Sequence, residues 1–254
     1  MTIDTQPTSL WVKITLRSDS TFGRGDGVAG LVDAEVQHDE YGLPFLSGRT
    51  LKGLLTAECA EILDALKRSD ALDNRWNKAG QWLFGSPGSS KDVMSHMFVG
   101  NAELPSDLRK VLCNEFDTLD EKYSDDEKNR LELLKRRNAQ RQRNLESLTT
   151  LRKQTAMDAK TGAPLRNSLR TMRVIVRESW LIARLDFDGG IANDQKYLLA
   201  ACVCALHRAG TGRNRGRGLV IVDLFEQEPL ADEQKAVTQD LLKEFEVEVR
   251  HALA

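Results

Sequence analysis

The sequence predicts an α+β fold built on a ferredoxin-like sheet with helices on one face. Three observations point there. Strand-like and helix-like stretches follow one another as strand, helix, strand, insertion, strand, helix, strand, the order that builds such a sheet. The positive charge lies in the connections between these elements. No internal repeat is visible, and 254 residues with 41% hydrophobic and 29% charged content permit one elaborated domain or two small ones with a sizeable core.

Residues 10–16, LWVKITL, alternate apolar and polar as a half-buried strand does. A Gly-rich loop follows, then GLVDAEV and a turn at EYGLP. After Ser47 the run GRTLKGLLTAECAEILDALK places apolar residues at 51, 54, 55, 59, 62, 63 and 66, one stripe of a helix over 48–66. The Gly, Pro and Ser content of QWLFGSPGSSKD predicts a loop, and HMFVGNAEL a second strand. The acidic then basic run over 106–150, poor in aromatics, predicts a long solvated helical hairpin or a partly disordered insertion. TMRVIVRESWLIARLDF reads as one long strand, or two joined at RES. Residues 193–208 form a helix capped by Asn193 or Asp194 and ended by Gly210. LVIVDLFE is the last strand, and 232–249 an acidic terminal helix or strand.

A formal net charge of -2 hides strong segregation. From Lys128 to Arg177 there are fourteen Lys/Arg against three Asp/Glu, a local balance of +11; residues 103–127 and 223–254 each hold nine acids against three bases. A basic element in a neutral protein suits a polyanionic partner. The N-terminal MTIDTQPTSLWVKITL has neither a basic n-region nor an apolar h-region, and no window approaches a membrane span, so a cytoplasmic location is expected, with no membrane partner. Cys59, Cys113, Cys202 and Cys204 are scattered, and read as buried cytosolic thiols.

The stretch AGTGRNRGRGLV, 209–220, holds Gly210, Gly212, Gly216 and Gly218 with Arg213, Arg215 and Arg217 among them. Glycines there can take positive φ and expose amides to a phosphate, while the arginines supply charge. The glycines precede a strand instead of opening a helix, which disfavours a dinucleotide-binding turn, and no G-K-[ST] follows to make a Walker loop. A helix end followed by a solvated turn is the plain alternative.

That loop, together with LPFLSGRTLKGLL at 43–55 and WLFGS at 82–86, resembles the CRISPR-associated RAMP superfamily, and within it the RNA-cleaving backbone subunit of type III effector complexes. The resemblance runs in order over most of the chain, leaving out 103–147 and about the last twenty residues. It implies a single domain over 1–254 with a modified RRM-like fold, a thumb hairpin at about 148–177 and a helical insertion at about 103–147. It implies that Ser47, Arg49, Lys52, Gly53, Gly210, Gly212, Arg213, Arg215, Gly216, Arg217 and Gly218 hold the guide RNA. Where the family usually has a small-residue pair this chain has Arg49 and Thr50, a departure that offers a further phosphate contact. Ser47 would cap the 48–66 helix, whose first amides with Lys52 make an anion site; a bare cap with Lys52 in solvent is the alternative.

The segment LRKQTAMDAKTGAPLRNSLRTMRV, 151–174, is similar to the family's thumb, with Met157, Asp158 and Thr161 meeting its pattern. The resemblance makes Met157 the wedge that displaces a base, with Arg152, Lys153, Arg166 and Arg170 on the flanking phosphates. Arg136, Arg137, Arg141 and Arg143 either line an RNA channel or form a charged helix face. By the same resemblance, target RNA is cut by an acid in the loop between first strand and first helix, which places Asp33 there, with Asp26 second and His38 close enough to assist. The chemistry aligns a 2′-hydroxyl with its phosphate, and the acid takes the proton or holds a divalent cation, expected to be Mg2+. No His/Asp/Glu cluster with metal spacing appears, and His96, His207 and His251 read as structural.

The function implied is thus a subunit that lies with copies of itself along the guide RNA (crRNA) and cuts complementary target RNA at regular spacing. Its implied partners are the complex's large signalling subunit, small helical subunits and guide-end-capping subunit. A non-cleaving guide-binding subunit of the same fold is the alternative. A guide-processing endonuclease is disfavoured, because 48–66 lacks a histidine or tyrosine to act as base.

Overall fold

The computed structural model describes residues 8–25, 27, 32–71, 73–86, 94–123, 130–212, 216–230 and 234–253, excepting the Leu253 side chain. Strand β1 (Ser9–Leu16) is the predicted alternating segment: Leu10, Val12, Ile14 and Leu16 are buried, while Trp11, Lys13 and Thr15 lie half-buried on the other face. It pairs antiparallel with β5 (Trp180–Phe187) on one side and β6 (Val220–Phe225) on the other, and β2 (Met97–Val99) pairs antiparallel with β5. The sheet order β2-β5-β1-β6 is second, third, first, fourth strand in chain order, the ferredoxin-like arrangement expected.

Helix α1 (Gly48–Arg68) joins the first two strands of the sheet and α5 (Asn193–Ala205) the last two. Leu198 to Val203 of α5 are all buried, because the helix packs against α1, α2 (Asn74–Phe84) and α6 (Thr238–Leu253). A helix surrounded by neighbours has no polar face to show in its sequence.

Several boundaries differ from expectation for physical reasons. The predicted loop over QWLFGSPGSSKD begins inside α2: Trp76, Ala79, Gly80 and Leu83 form its buried face, Asp73 caps it, and Gly85 at φ +79° ends it. Neither Asn193 nor Asp194 caps α5; the cap is Ala192, whose N–H donates to Gln195 Oε1 at 2.9 Å. The helix stops at Ala205 instead of Arg208 because residues 207–209 leave to pair with 218–220: Ala209 N–H donates to Gly218 O at 2.9 Å and Val220 N–H to His207 O at 3.0 Å. The second strand shortens to three residues, and TMRVIVRESWLIARLDF yields two strands in different sheets. β4 (Arg170–Ile175) pairs with β3 (Thr149–Gln154), and β5 begins beyond Glu178, a residue at φ +66°.

The insertion forms two helices packed on each other, α3 (Ser106–Tyr123) and α4 (Arg130–Leu148). Phe116 is buried edge-on against Tyr41 at 5.0 Å, and Asn144 donates to Tyr41 O at 3.1 Å, so the hairpin is tied to the turn preceding α1. Arg137 bonds Asp120, Arg136 bonds Glu132, and Arg143 bonds Gln140. These arginines therefore serve the hairpin itself, while Arg141 is exposed.

Candidate nucleic-acid interface

Three segments distant in sequence meet where β1 ends. The first, 17–21, continues from β1. The second is the stem of the Gly-rich loop, which is stitched to it: Arg17 N–H donates to Leu219 O at 2.8 Å, Leu219 N–H to Ser18 Oγ at 2.9 Å, and Thr211 N–H to Thr21 O at 2.9 Å. The third is the base of the β3–β4 hairpin, where Ser20 and Ile175 exchange main-chain hydrogen bonds.

All four loop glycines take positive φ, as expected. At two of them the conformation is also a packing demand. A Cβ on Gly210 would lie 2.6 Å from Thr21 O, and one on Gly218 2.1 Å from Ala209 O, so the stem closes only with hydrogen at these positions. Arg213 and Arg215, like Asp26, lie outside the described residues.

Between the three segments lies a cleft of about 630 Å³ lined by Arg17, Ser18, Asp19, Arg152, Val176, Arg177, Gly216 and Arg217. Arg152 Nε lies 2.7 Å from Asp19 Oδ2, and Arg17 lies 3.2 Å from Glu178. Arg217 rests on the Met172 sulfur of β4. Arg152 thus pairs with Asp19 and Arg17 with Glu178, while Arg177 lines the same cleft and its backbone N–H donates to Asp19 Oδ1 at 3.3 Å. Exposed pairs such as Arg17–Glu178 contribute about 0–1 kcal/mol, so these arginines can exchange a carboxylate for a phosphate at small cost. Sequence reading missed Arg17, Asp19 and Arg177: the first two lie outside any basic tract and Arg177 was only the last residue of one; the visible signal was that Arg17 extends the outward alternation of Trp11, Lys13 and Thr15.

The start of α1 is the second predicted element. Ser47 caps it, its Oγ accepting from Thr50 N–H at 3.3 Å. Gly48 packs so closely on β2 that a Cβ would lie 2.0 Å from Val99 O, and its N–H donates to Asn101 Oδ1 at 3.0 Å. Arg49 and Gly53 are exposed. Lys52 differs from expectation: its ammonium turns inward onto Ser95 Oγ and Met97 O, and burial lowers its pKa.

The β3–β4 hairpin carries Arg152, Lys153 and Arg170 exposed along it and Arg166 near its tip. Met157 is 56% exposed at the tip, bridged to Pro164. Asp158 builds the turn beneath it, its Oδ1 accepting from Lys160 N–H at 2.8 Å and Thr161 N–H at 3.4 Å; Thr161 Oγ1 in turn accepts from Ala163 N–H. Asp158 and Thr161 thus hold the shape that presents Met157.

Asp33 stands beside β4 toward the tip side of the ladder, at Thr171, which pairs with Lys153. Its N–H donates to Thr171 O at 2.7 Å and its Oδ2 accepts from Thr171 N–H at 2.6 Å, while the residue stays exposed. His38 is engaged with Asp39 O at 3.0 Å. His96 stacks on Trp82 at 5.2 Å, in keeping with a structural role. Among the described residues, no three His, Cys, Asp or Glu side chains converge to hold a metal ion. Among the described residues, then, no protein-built metal site forms around Asp33.

Among the described residues no helix is long and apolar enough to cross a membrane. The family model described as RAMP superfamily matches residues 13–221. No curated protein matches this chain. Among solved structures, a chain in the cryo-EM structure of the Type III-B Cmr-beta bound to cognate target RNA shares the fold at TM-score 0.57 and 10% identity, covering 94% of this chain and 100% of that one. A chain in the cryo-EM structure of the Type III-B Cmr-beta in the apo state does so at TM-score 0.56 and 11% identity, covering 87% and 98%.

Proposed function

This chain belongs to the RAMP superfamily, and on that premise we propose that it is the guide-RNA-binding backbone subunit of a type III CRISPR effector complex. Copies of it lie along the guide RNA, beside the large, small and guide-capping subunits, and cut complementary target RNA at regular spacing. The observation that carries this reading is the arginine cleft, in which the β1 exit, the Gly-rich loop and the thumb base bring Arg17, Arg152, Arg177 and Arg217 around one cavity. Such a seat takes a sugar-phosphate chain irrespective of sequence, because phosphate contacts carry no base information. The match to a chain in a target-RNA-bound structure supports it.

In this reading the thumb's Met157 wedges between target nucleotides and leaves one phosphodiester exposed beside Asp33. The ribose 2′-hydroxyl attacks its own phosphorus, its proton passes to the free oxygen of Asp33, and the P–O5′ bond breaks, the leaving oxygen taking a proton from water. With Oδ2 tied to Thr171, the carboxylate is aimed without further ordering. A divalent cation, Mg2+ by expectation, would draw its ligands mainly from RNA and water. The alternative, a guide-binding subunit that does not cut, is favoured by the absence, among the described residues, of a metal-holding cluster around that carboxylate. Imaging the assembled complex tests the reading: it is expected to show copies stacked along one RNA strand with a base displaced at each junction. RNA absent from the cleft would overturn it.

A further inference from the structure

The buried ion pair Glu35–Arg173 lies outside the arginine cleft. Glu35 and Arg173 have side chains 3% and 5% exposed, with Oε1 2.9 Å from Nε. The contact is Coulombic, since Nε–H has no aligned acceptor. Oε1 also accepts from Val36 N–H at 3.0 Å, and Arg173 Nη1 donates to Thr149 Oγ1 at 3.2 Å on β3. Burying two charges is costly, and a buried pair often stabilises no more than apolar residues would; the best-attested use of such a pair is to specify register.

A register here needs specifying. The segment carrying Asp33 runs parallel to β4 for only a few residues, through the Ala34–Met172 bridge, Asp33 N–H to Thr171 O, and Arg173 N–H to Ala34 O at 3.0 Å. A slip of one residue would turn Asp33 to the opposite face. We propose that Glu35 and Arg173 are positioning residues that pin the β1–α1 loop to the thumb strand, fixing the Asp33 carboxylate relative to the thumb and hence to the phosphodiester the thumb exposes. This rests on the proposed function only in what the carboxylate does, and on the structure alone in what holds it there.

The test uses the assembled guide-RNA complex. The double substitution Glu35→Leu with Arg173→Met removes both charges at similar volume, and is expected to retain stability and guide affinity. Its target cutting at saturating RNA should fall about 100-fold, with scission spread onto neighbouring phosphodiesters; wild-type rate at wild-type positions would overturn the proposal. Amide exchange provides a readout independent of cutting, on the double variant and on Glu35→Gln. Exchange at Asp33 and Thr171 should accelerate selectively relative to the β1–β5 amides; unchanged relative protection there would also overturn it. Asp33→Ala run in parallel separates the two ideas, because cutting that survives in it defeats the role of the acid while the exchange result still decides the pin.

Discussion

Asp33 and Thr171 are hydrogen-bonded to each other twice, main chain to main chain at 2.7 Å and Oδ2 to the Thr171 amide at 2.6 Å. The second bond fixes one carboxylate oxygen and leaves the other for chemistry. Asp33→Asn keeps an acceptor for Thr171 but cannot take a proton, whereas Asp33→Ala loses both. Each should abolish target cutting by about 100-fold or more, as loss of a general base does, while guide affinity persists. A cleavage ladder unchanged in Asp33→Asn would remove the acid from the mechanism.

Gly218 and Gly216 separate conformation from space. Both have positive φ, at +69° and +78°, but only at Gly218 would a Cβ strike backbone, 2.1 Å from Ala209 O. Gly216→Ala should cost about 1–2 kcal/mol. Gly218→Ala should cost more and open the loop stem. Chemical denaturation of both variants checks the order, and equal costs would contradict the packing described for the stem.

How much of this was legible depended on whether the signal was local. The alternation of β1, the stripe of α1 and the positive φ of the four glycines follow from properties of adjacent residues, so the sequence displayed them. The end of α5 did not, because residues 207–209 are drawn off by pairing with 218–220, a contact no helical pattern anticipates. Lys52 looked like a phosphate ligand at a helix start, yet Ser95 and Met97, over forty positions away, capture it. The cleft itself was half visible: Arg152 and Arg217 lie in segments read as RNA-binding, while Arg17 and Arg177 acquire meaning only when the sheet brings their segments together.

Lys52 is expected to act on stability. Lys52→Met should cost about 1–3 kcal/mol, as for lost hydrogen bonds of a charged group, with little change in the salt dependence of RNA binding. Burial places its folded pKa below the ordinary 10.5. In the window between the two values the unfolded chain binds more protons, so stability rises with pH there. Wild type should therefore gain on Lys52→Met as pH climbs toward that upper limit; a gap that narrows would contradict the inward placement.

Met157 is exposed at the tip of the β3–β4 hairpin and supports no core. Met157→Ala should leave the melting temperature within about 1–2 °C, as surface changes do. It should weaken base displacement, read as loss of fluorescence from 2-aminopurine placed at the displaced position of the target. Full fluorescence in the variant would assign the wedge elsewhere.

The most direct test is the salt dependence of guide-RNA affinity in Arg17→Ala/Arg177→Ala, two cleft arginines that no sequence motif marks. Each phosphate contact on a single strand contributes about 0.7 to the slope of log K against log salt. The double variant is expected to flatten the slope by about 1–1.5, equally for guides of unrelated sequence. A slope identical to wild type would contradict the claim that this cleft grips the RNA backbone.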